Sequence, residues 1–159
     1  MATIYMIHGF IGSGKTTFSK KLEAETKAVR FTPDEWMIKL YGENPPADKF
    51  AEYDEKIKEL IWDLAEKVLN TNTDVILDFG FWKKLERDEA RSFAESISAN
   101  IKLFNLDCPE EIMRTRVIDR TEKMPEGALF INENTFNILK EQFEPIDPQN
   151  EYCTLIKTH

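Results

Sequence analysis

The stretch Gly9-Phe10-Ile11-Gly12-Ser13-Gly14-Lys15-Thr16 narrows the possible folds of this chain more than any other, since it fills every fixed position of G-x-x-x-x-G-K-[ST]. An apolar, strand-like run (Ile4-Tyr5-Met6-Ile7) precedes it and a helix-like segment to about Thr26 follows, which is the context the pattern requires. Polyphosphate is held by several backbone N–H groups converging on it. Only a glycine-rich loop turns tightly enough, through positive φ, to aim them inward. The helix behind the loop adds the positive end of its dipole. The stretch therefore predicts a nucleoside triphosphate cradle built from Gly9, Gly12, Ser13, Gly14, Lys15, Thr16 and Thr17, rather than a chance match in a glycine-rich turn. Lys15 would reach the β- and γ-phosphates, and the Thr16 hydroxyl would coordinate Mg²⁺.

A cradle of this kind belongs to alternating α/β chains, and the remaining sequence alternates accordingly. Apolar runs at 3–8, 28–32, 74–78, 100–106 and 152–156 read as five strands. Helical spacing fills 15–26, 36–40, 48–70, 84–99, the stretch after Pro109, and 135–143. Ile57, Leu60, Ile61, Leu64, Val68 and Leu69 form the expected inner face of the longest helix; Leu85, Phe93, Ala94 and Ile97 form that of the next. The expectation is a three-layer α/β/α sandwich around a five-stranded, mostly parallel sheet, a P-loop NTPase of nucleoside-kinase-like fold. It would be one domain over 1–159, with a lid segment at about 121–133.

Composition narrows the partners. The net charge of −8, from 21 basic and 29 acidic residues, provides no basic stripe for duplex nucleic acid and favours a small-molecule partner. No apolar run approaches the length of a membrane span. Cys108 and Cys153 stand isolated, without metal-type spacing, as expected of thiols in a reducing compartment. Met1 leads almost directly into the first strand without a secretory pattern, so a cytoplasmic location is expected.

Asp34 follows the second strand, on the edge of the sheet expected to carry the cradle. A carboxylate there either takes the proton of an attacking hydroxyl or serves only as a cap or first-turn acid in Thr32-Pro33-Asp34-Glu35. Asp78, ending the third strand, would hold Mg²⁺ through water or bind the substrate. Arg116 and Arg120, four apart on one helix face, suit a transferred phosphoryl group; the alternative is surface pairing with Glu110, Glu111 or Asp119. Arg114 is expected to point away into solvent. The aromatics Trp36, Tyr41, Phe79, Phe81 and Trp82 are either core or pocket lining. Lys83, Lys84 and Arg87 are either solvated or help with an anionic group, and His8 is expected to be packed or hydrogen-bonded.

These pieces, in this order, resemble the small P-loop kinases of the AAA-like ATPase family that includes the kinase part of polynucleotide kinase, chloramphenicol phosphotransferase and the zeta toxins. The matching stretches are Gly9 to Thr17, Phe31-Thr32-Pro33-Asp34-Glu35, Val75 to Trp82 with Arg87, and Leu106 to Glu111 leading to Arg116 and Arg120. The resemblance implies Asp34 as general base, Arg116 as a phosphate-stabilising arginine and Arg120 as a lid residue near the nucleotide. Trp36-Met37-Ile38 stands where polynucleotide kinases carry an arginine, and Asp78-Phe79-Gly80 where they carry Asp-Thr-Asn. The expectation is transfer from ATP, with Mg²⁺, to the hydroxyl of a small molecule such as an antibiotic, nucleoside, nucleotide or sugar. Lys15, Asp34 and Arg116 would be catalytic, and Asp34, Trp36, Asp78, Phe81 and Trp82 would line the acceptor site. The alternatives are a nucleic-acid 5′-hydroxyl kinase and a non-catalytic ATP-binding switch.

Overall fold

The computed structural model describes residues 1–123 and 131–159. Strands β1 (Thr3–His8), β2 (Val29–Phe31), β3 (Val75–Gly80), β4 (Asn100–Asp107) and β5 (Thr154–Lys157) form one sheet in the order β2-β3-β1-β4-β5. Every pairing is parallel, where the sequence allowed for a mixed sheet. Six helices connect or flank the strands: α1 (Lys15–Thr26), α2 (Pro33–Tyr41), α3 (Phe50–Leu69), α4 (Lys84–Ser96), α5 (Glu110–Lys123) and α6 (Glu133–Lys140).

The central strand shows why the sandwich forms. Side chains alternate across a strand, so Ile4 and Met6 meet the core under Met37 of α2, Ile57 and Ile61 of α3, and Ala90 of α4. Ile7 points to the other face, against Leu22 of α1 with Ile76, Phe104 and Leu106. A third cluster seats α5 and α6 on the phosphate loop, through Met113, Val117, Phe136 and Phe10.

The inner face of α3 is narrower than its apolar spacing suggests. Ile57, Ile61, Ala65 and Leu69 are buried at a strict four-residue interval, whereas Leu60 and Leu64 are exposed. The small Ala65 brings the helix close along that seam, and the two leucines flank it. Leu85 is likewise exposed, at the start of α4, instead of facing in.

The end of β3 departs from regular pairing in two ways. The register with β1 runs Met6↔Leu77 and then His8↔Gly80, so Asp78 and Phe79 stand opposite the single residue Ile7. This bulge lies at the carboxyl edge of the sheet, where such irregularities re-aim side chains. Beyond it Gly80 (φ 83°) and Phe81 (φ 47°) adopt left-handed backbone. For a bulky aromatic that conformation is held by surroundings rather than preferred. The carbonyl of Phe81 accepts from His8 Nδ1 (2.9 Å) and Arg87 Nη1 (2.8 Å), which supplies the hold. The expected lid at 121–133 falls mostly on residues outside the described ones; at its described ends, Thr121 and Ile131 exchange hydrogen bonds.

Burial of His8 sets a pH dependence. The ring is 1% exposed and stacks on Phe143, and desolvation lowers its pKa from 6.5 to about 4 against the opposing pull of the Phe81 carbonyl. Between pH 6.5 and 4 the unfolded chain takes a proton that the folded one refuses, so stability falls with pH across that window and levels below it. The loss reaches about 3 kcal/mol at most. His8→Gln, which keeps a donor for Phe81, is expected to flatten the pH dependence of the urea midpoint over that window; an unchanged dependence would assign it elsewhere.

Candidate active site

The loop between β1 and α1 is braced through its carbonyls. Trp82 Nε1 donates to Gly9 O (3.1 Å), Arg116 Nη1 to Gly12 O (3.1 Å), and Lys15 Nζ and the Ser13 N–H to Phe10 O (3.0 and 3.1 Å). Gly12 (φ 81°) and Gly14 (φ 95°) supply the left-handed turns. The first helical bond of α1 is Phe18 N–H to Gly14 O (3.0 Å), so the N–H groups of Gly14, Lys15, Thr16 and Thr17 precede the helical ladder. No side chain caps them and no acid stands in the first turn. This helix end is open to an anion.

Gly12 also tolerates nothing larger. A Cβ there would lie 2.7 Å from Met113 O and 2.9 Å from a Val117 methyl, besides straining the left-handed backbone. Gly12→Ala is expected to push α5 off the loop and weaken ATP binding at least tenfold, measurable by titration with a fluorescent ATP analogue.

Asp78 meets the second turn of α1. It is 5% exposed; its Oδ2 accepts from Ser19 Oγ (3.0 Å) and Thr32 Oγ1 (3.2 Å), while its Oδ1 is buried without a partner among the described residues. Burial raises its pKa, opposed by the charge of Lys15 and by the two hydroxyl donors. Ser19 Oγ bonds both Asp78 Oδ2 and the Thr16 carbonyl, and an orphaned carboxylate oxygen one such link from the exposed Thr16 fits a hard divalent cation such as Mg²⁺, which keeps waters and phosphate oxygens as its other ligands. Among the described residues no group of three or more His, Cys, Asp or Glu could form an all-protein cage.

Asp34 occupies the second position of α2, after Pro33; Thr32 holds the cap position, so Asp34 is a first-turn acid and not the cap. Its carboxylate accepts no hydrogen bond from the described residues and is exposed, yet protein crowds around it. That crowding raises its pKa, Lys15 opposes the rise, and Asp78 and Asp54 add to it. Solvent contact tempers the crowding. Burial lowers the pKa of Lys15, with Asp78 and Asp34 opposing and Arg120 adding to the fall. The charges of Lys15, Asp34, Asp78 and Arg120 therefore act on one another at the carboxyl edge of the sheet.

Several expected residues lie elsewhere. Arg116 braces the loop instead of pointing along it: besides Gly12 O, its Nη2 donates to Thr158 O (2.8 Å), tying the cradle to the segment after β5. Trp82 supports the loop from below, packed on Phe10 at 5.0 Å, and does not line an acceptor pocket beside Asp34. Trp36 packs on Phe31 at the sheet edge, and Tyr41 stacks on Tyr53 at 3.7 Å. Arg114 stays partly exposed but is not free: it donates to Asn137 Oδ1 (2.8 Å) and lies over Phe136, docking α5 on α6. Arg87 is the largest buried side chain and is neither solvated nor an anion ligand. It pairs with Glu151 at 2.8 and 2.9 Å and holds the carbonyl of Phe81.

Sequence reasoning missed Ser19 and Thr32 as partners of Asp78. Ser19 was legible as a polar residue on the inward side of α1, one turn after Thr16. The Arg87–Glu151 pair spans 64 positions and carries no local signal.

A family model described as an AAA domain matches residues 4–146. No curated protein matches the chain. Among solved structures, a candidate kinase from Chloroflexus aurantiacus superposes with a TM-score of 0.79 at 12% identity, over 99% of this chain and 88% of that one. Kti12 from Chaetomium thermophilum, solved with ADP-AlF3, gives 0.69 at 16% identity over 98% and 88%. A gluconokinase from Sinorhizobium meliloti gives 0.61 at 18% identity over 98% and 81%. At these identities the likeness is one of fold.

Proposed function

The chain belongs to that AAA-domain family of P-loop, kinase-like proteins, and from this premise we propose that it transfers the γ-phosphoryl group of ATP to a hydroxyl of a small molecule. One observation carries the reading: Asp34, exposed just past β2 and without a hydrogen-bond partner among the described residues, stands at the carboxyl edge of the sheet near enough to Lys15 of the cradle for the two charges to act on each other. A nucleotide switch needs no such acid.

In this reading Gly12 to Thr17 hold the triphosphate through backbone N–H groups and the open end of α1. Lys15 exchanges Phe10 O for the β- and γ-phosphate oxygens. Arg120, an exposed residue of α5 whose charge acts with those of Asp34 and Lys15, would stabilise the charge that develops during transfer. Asp34 takes the proton of the acceptor hydroxyl as that oxygen bonds to the γ-phosphorus, and the bond from phosphorus to the β-bridging oxygen breaks to leave ADP. Thr16 and Asp78 would hold Mg²⁺, which neutralises phosphate charge when bound. Most of the rate comes from positioning and charge, since phosphoryl transfer asks little covalent chemistry of the protein.

The test is ADP release from Mg-ATP, followed with and without a panel of neutral, aminated and carboxylated alcohols. Stimulation of at least tenfold by one acceptor class supports transfer. A rate that no acceptor changes, or strong labelling of 5′-hydroxyl oligonucleotides, moves the function to a switch or an end kinase.

A further inference from the structure

The character of the acceptor follows from a groove beside Asp34, on the premise that the site transfers phosphate to a small-molecule hydroxyl. Helices α3 and α4 part over the carboxyl end of β3 and leave a cavity of about 490 Å³, a volume typical of small-molecule sites. Its floor is aromatic. Phe79 and Phe81 stack with centroids 5.2 Å apart, and Trp62 and Phe93 meet edge to face at 4.9 Å beside them.

Its rim is acidic. Asp54, Glu55 and Glu59 approach from α3, and Glu86 and Glu89 from α4, against only Lys58 and Lys83. Asp54 already neutralises Lys58 at 2.9 Å. Glu55, Glu59, Glu86 and Glu89 make no ion pair among the described residues, so their charge is directed at whatever enters. Lys58 Nζ stands 5.7 Å over the Phe79 ring while paired with Asp54, so an entering ammonium has to displace it from that face. Phe31 of β2 pairs with Leu77 of β3, so Asp34 just past β2 and the Phe79–Phe81 end of β3 leave neighbouring strands at one edge of the sheet, and the charges of Asp54 and Lys58 also act on the Asp34 carboxylate.

We infer that the phosphoryl acceptor is a small hydroxyl-bearing amine, its ammonium at the partly exposed Phe79 ring inside the acidic rim and its hydroxyl at Asp34. The aromatic faces attract a cation through their quadrupole. The unpaired carboxylates add to that attraction and repel carboxylated or phosphorylated acceptors of the same size, so selection works through exclusion as well as fit.

The test uses three matched alcohols: 2-amino-1-phenylethanol (cationic), 1-phenyl-1,2-ethanediol (neutral) and mandelate (anionic). Binding to the full chain with Mg-ADP is followed at low salt by the indole N–H resonance of Trp62, assigned with Trp62→Phe. The amine is expected to bind at least tenfold more tightly than the diol, and mandelate more weakly than either. The double variant Glu86→Gln/Glu89→Gln is expected to cost the amine at least fivefold and leave the diol and Mg-ATP unaffected. Equal binding of the three, preference for mandelate, or an amine affinity indifferent to the double variant overturns the inference. ADP release on the same compounds separates the two claims: selective amine binding without stimulated release overturns the phosphotransferase reading alone.

Discussion

Asp34→Asn is expected to lower the turnover number by about 10²- to 10⁴-fold, the range a positioned general base contributes, while Mg-ATP affinity changes by no more than a few-fold. Its carboxylate makes no hydrogen bond with the described residues, so the substitution should leave the fold intact. Steady-state kinetics and nucleotide titration on the same preparation separate the two effects. In the proposed mechanism the ionised form is the active one, and crowding raises its pKa above the ordinary 3.8 with Lys15 opposing. The acidic limb of kcat/KM should therefore lie at higher pH than for a solvated aspartate and disappear in the variant. Loss of ATP binding in parallel with turnover would make Asp34 part of the cradle instead.

The second large effect is structural. Glu151→Ala leaves the Arg87 guanidinium, 1% exposed, without its bidentate partner. Breaking a buried pair from one side costs about 3–5 kcal/mol, against roughly 5–15 kcal/mol for a whole domain. Urea unfolding should register that loss, and the site should suffer with it, because Arg87 also holds the Phe81 carbonyl at the strained turn. Replacing both partners, as Arg87→Met/Glu151→Leu, should recover much of the stability, since no buried charge is then left alone. Hydrogen bonds from Arg87 lower the Glu151 pKa from 4.5 to about 2, against the opposing effect of burial and with help from Arg91. The pair's stabilisation is thus complete above pH 4.5 and is lost as pH falls toward 2.

Whatever is written locally was readable in the residues. The cradle declares itself because eight contiguous positions must supply glycines, a lysine and a hydroxyl, and the strand and helix around it follow from apolar spacing. Asp34 and Asp78 were readable for a related reason: each ends or follows a short apolar run, and in a parallel sheet those ends share one edge. The partners of Arg87, Arg114 and Arg116 were not readable. A guanidinium on a helix has the same local appearance whether it meets phosphate, a backbone carbonyl or a glutamate far along the chain. Arg116 found Gly12 O and Thr158 O, and Arg87 found Glu151, both through contacts that only the folded chain creates. Trp82 was misplaced because the left-handed turn at Gly80 and Phe81 redirects the chain just before it. The acidic groove was hidden for the same reason as the arginine contacts, since its floor and rim come from three elements that the crossovers bring together.

The fate of the γ-phosphorus tests the central claim most directly. Phosphorus-31 NMR of Mg-ATP turned over with 2-amino-1-phenylethanol should show a phosphate ester growing in step with ADP in the parent protein, and neither product above background in Lys15→Ala or Asp34→Asn. Inorganic phosphate as the sole product, at a rate unchanged by Asp34→Asn, would contradict it.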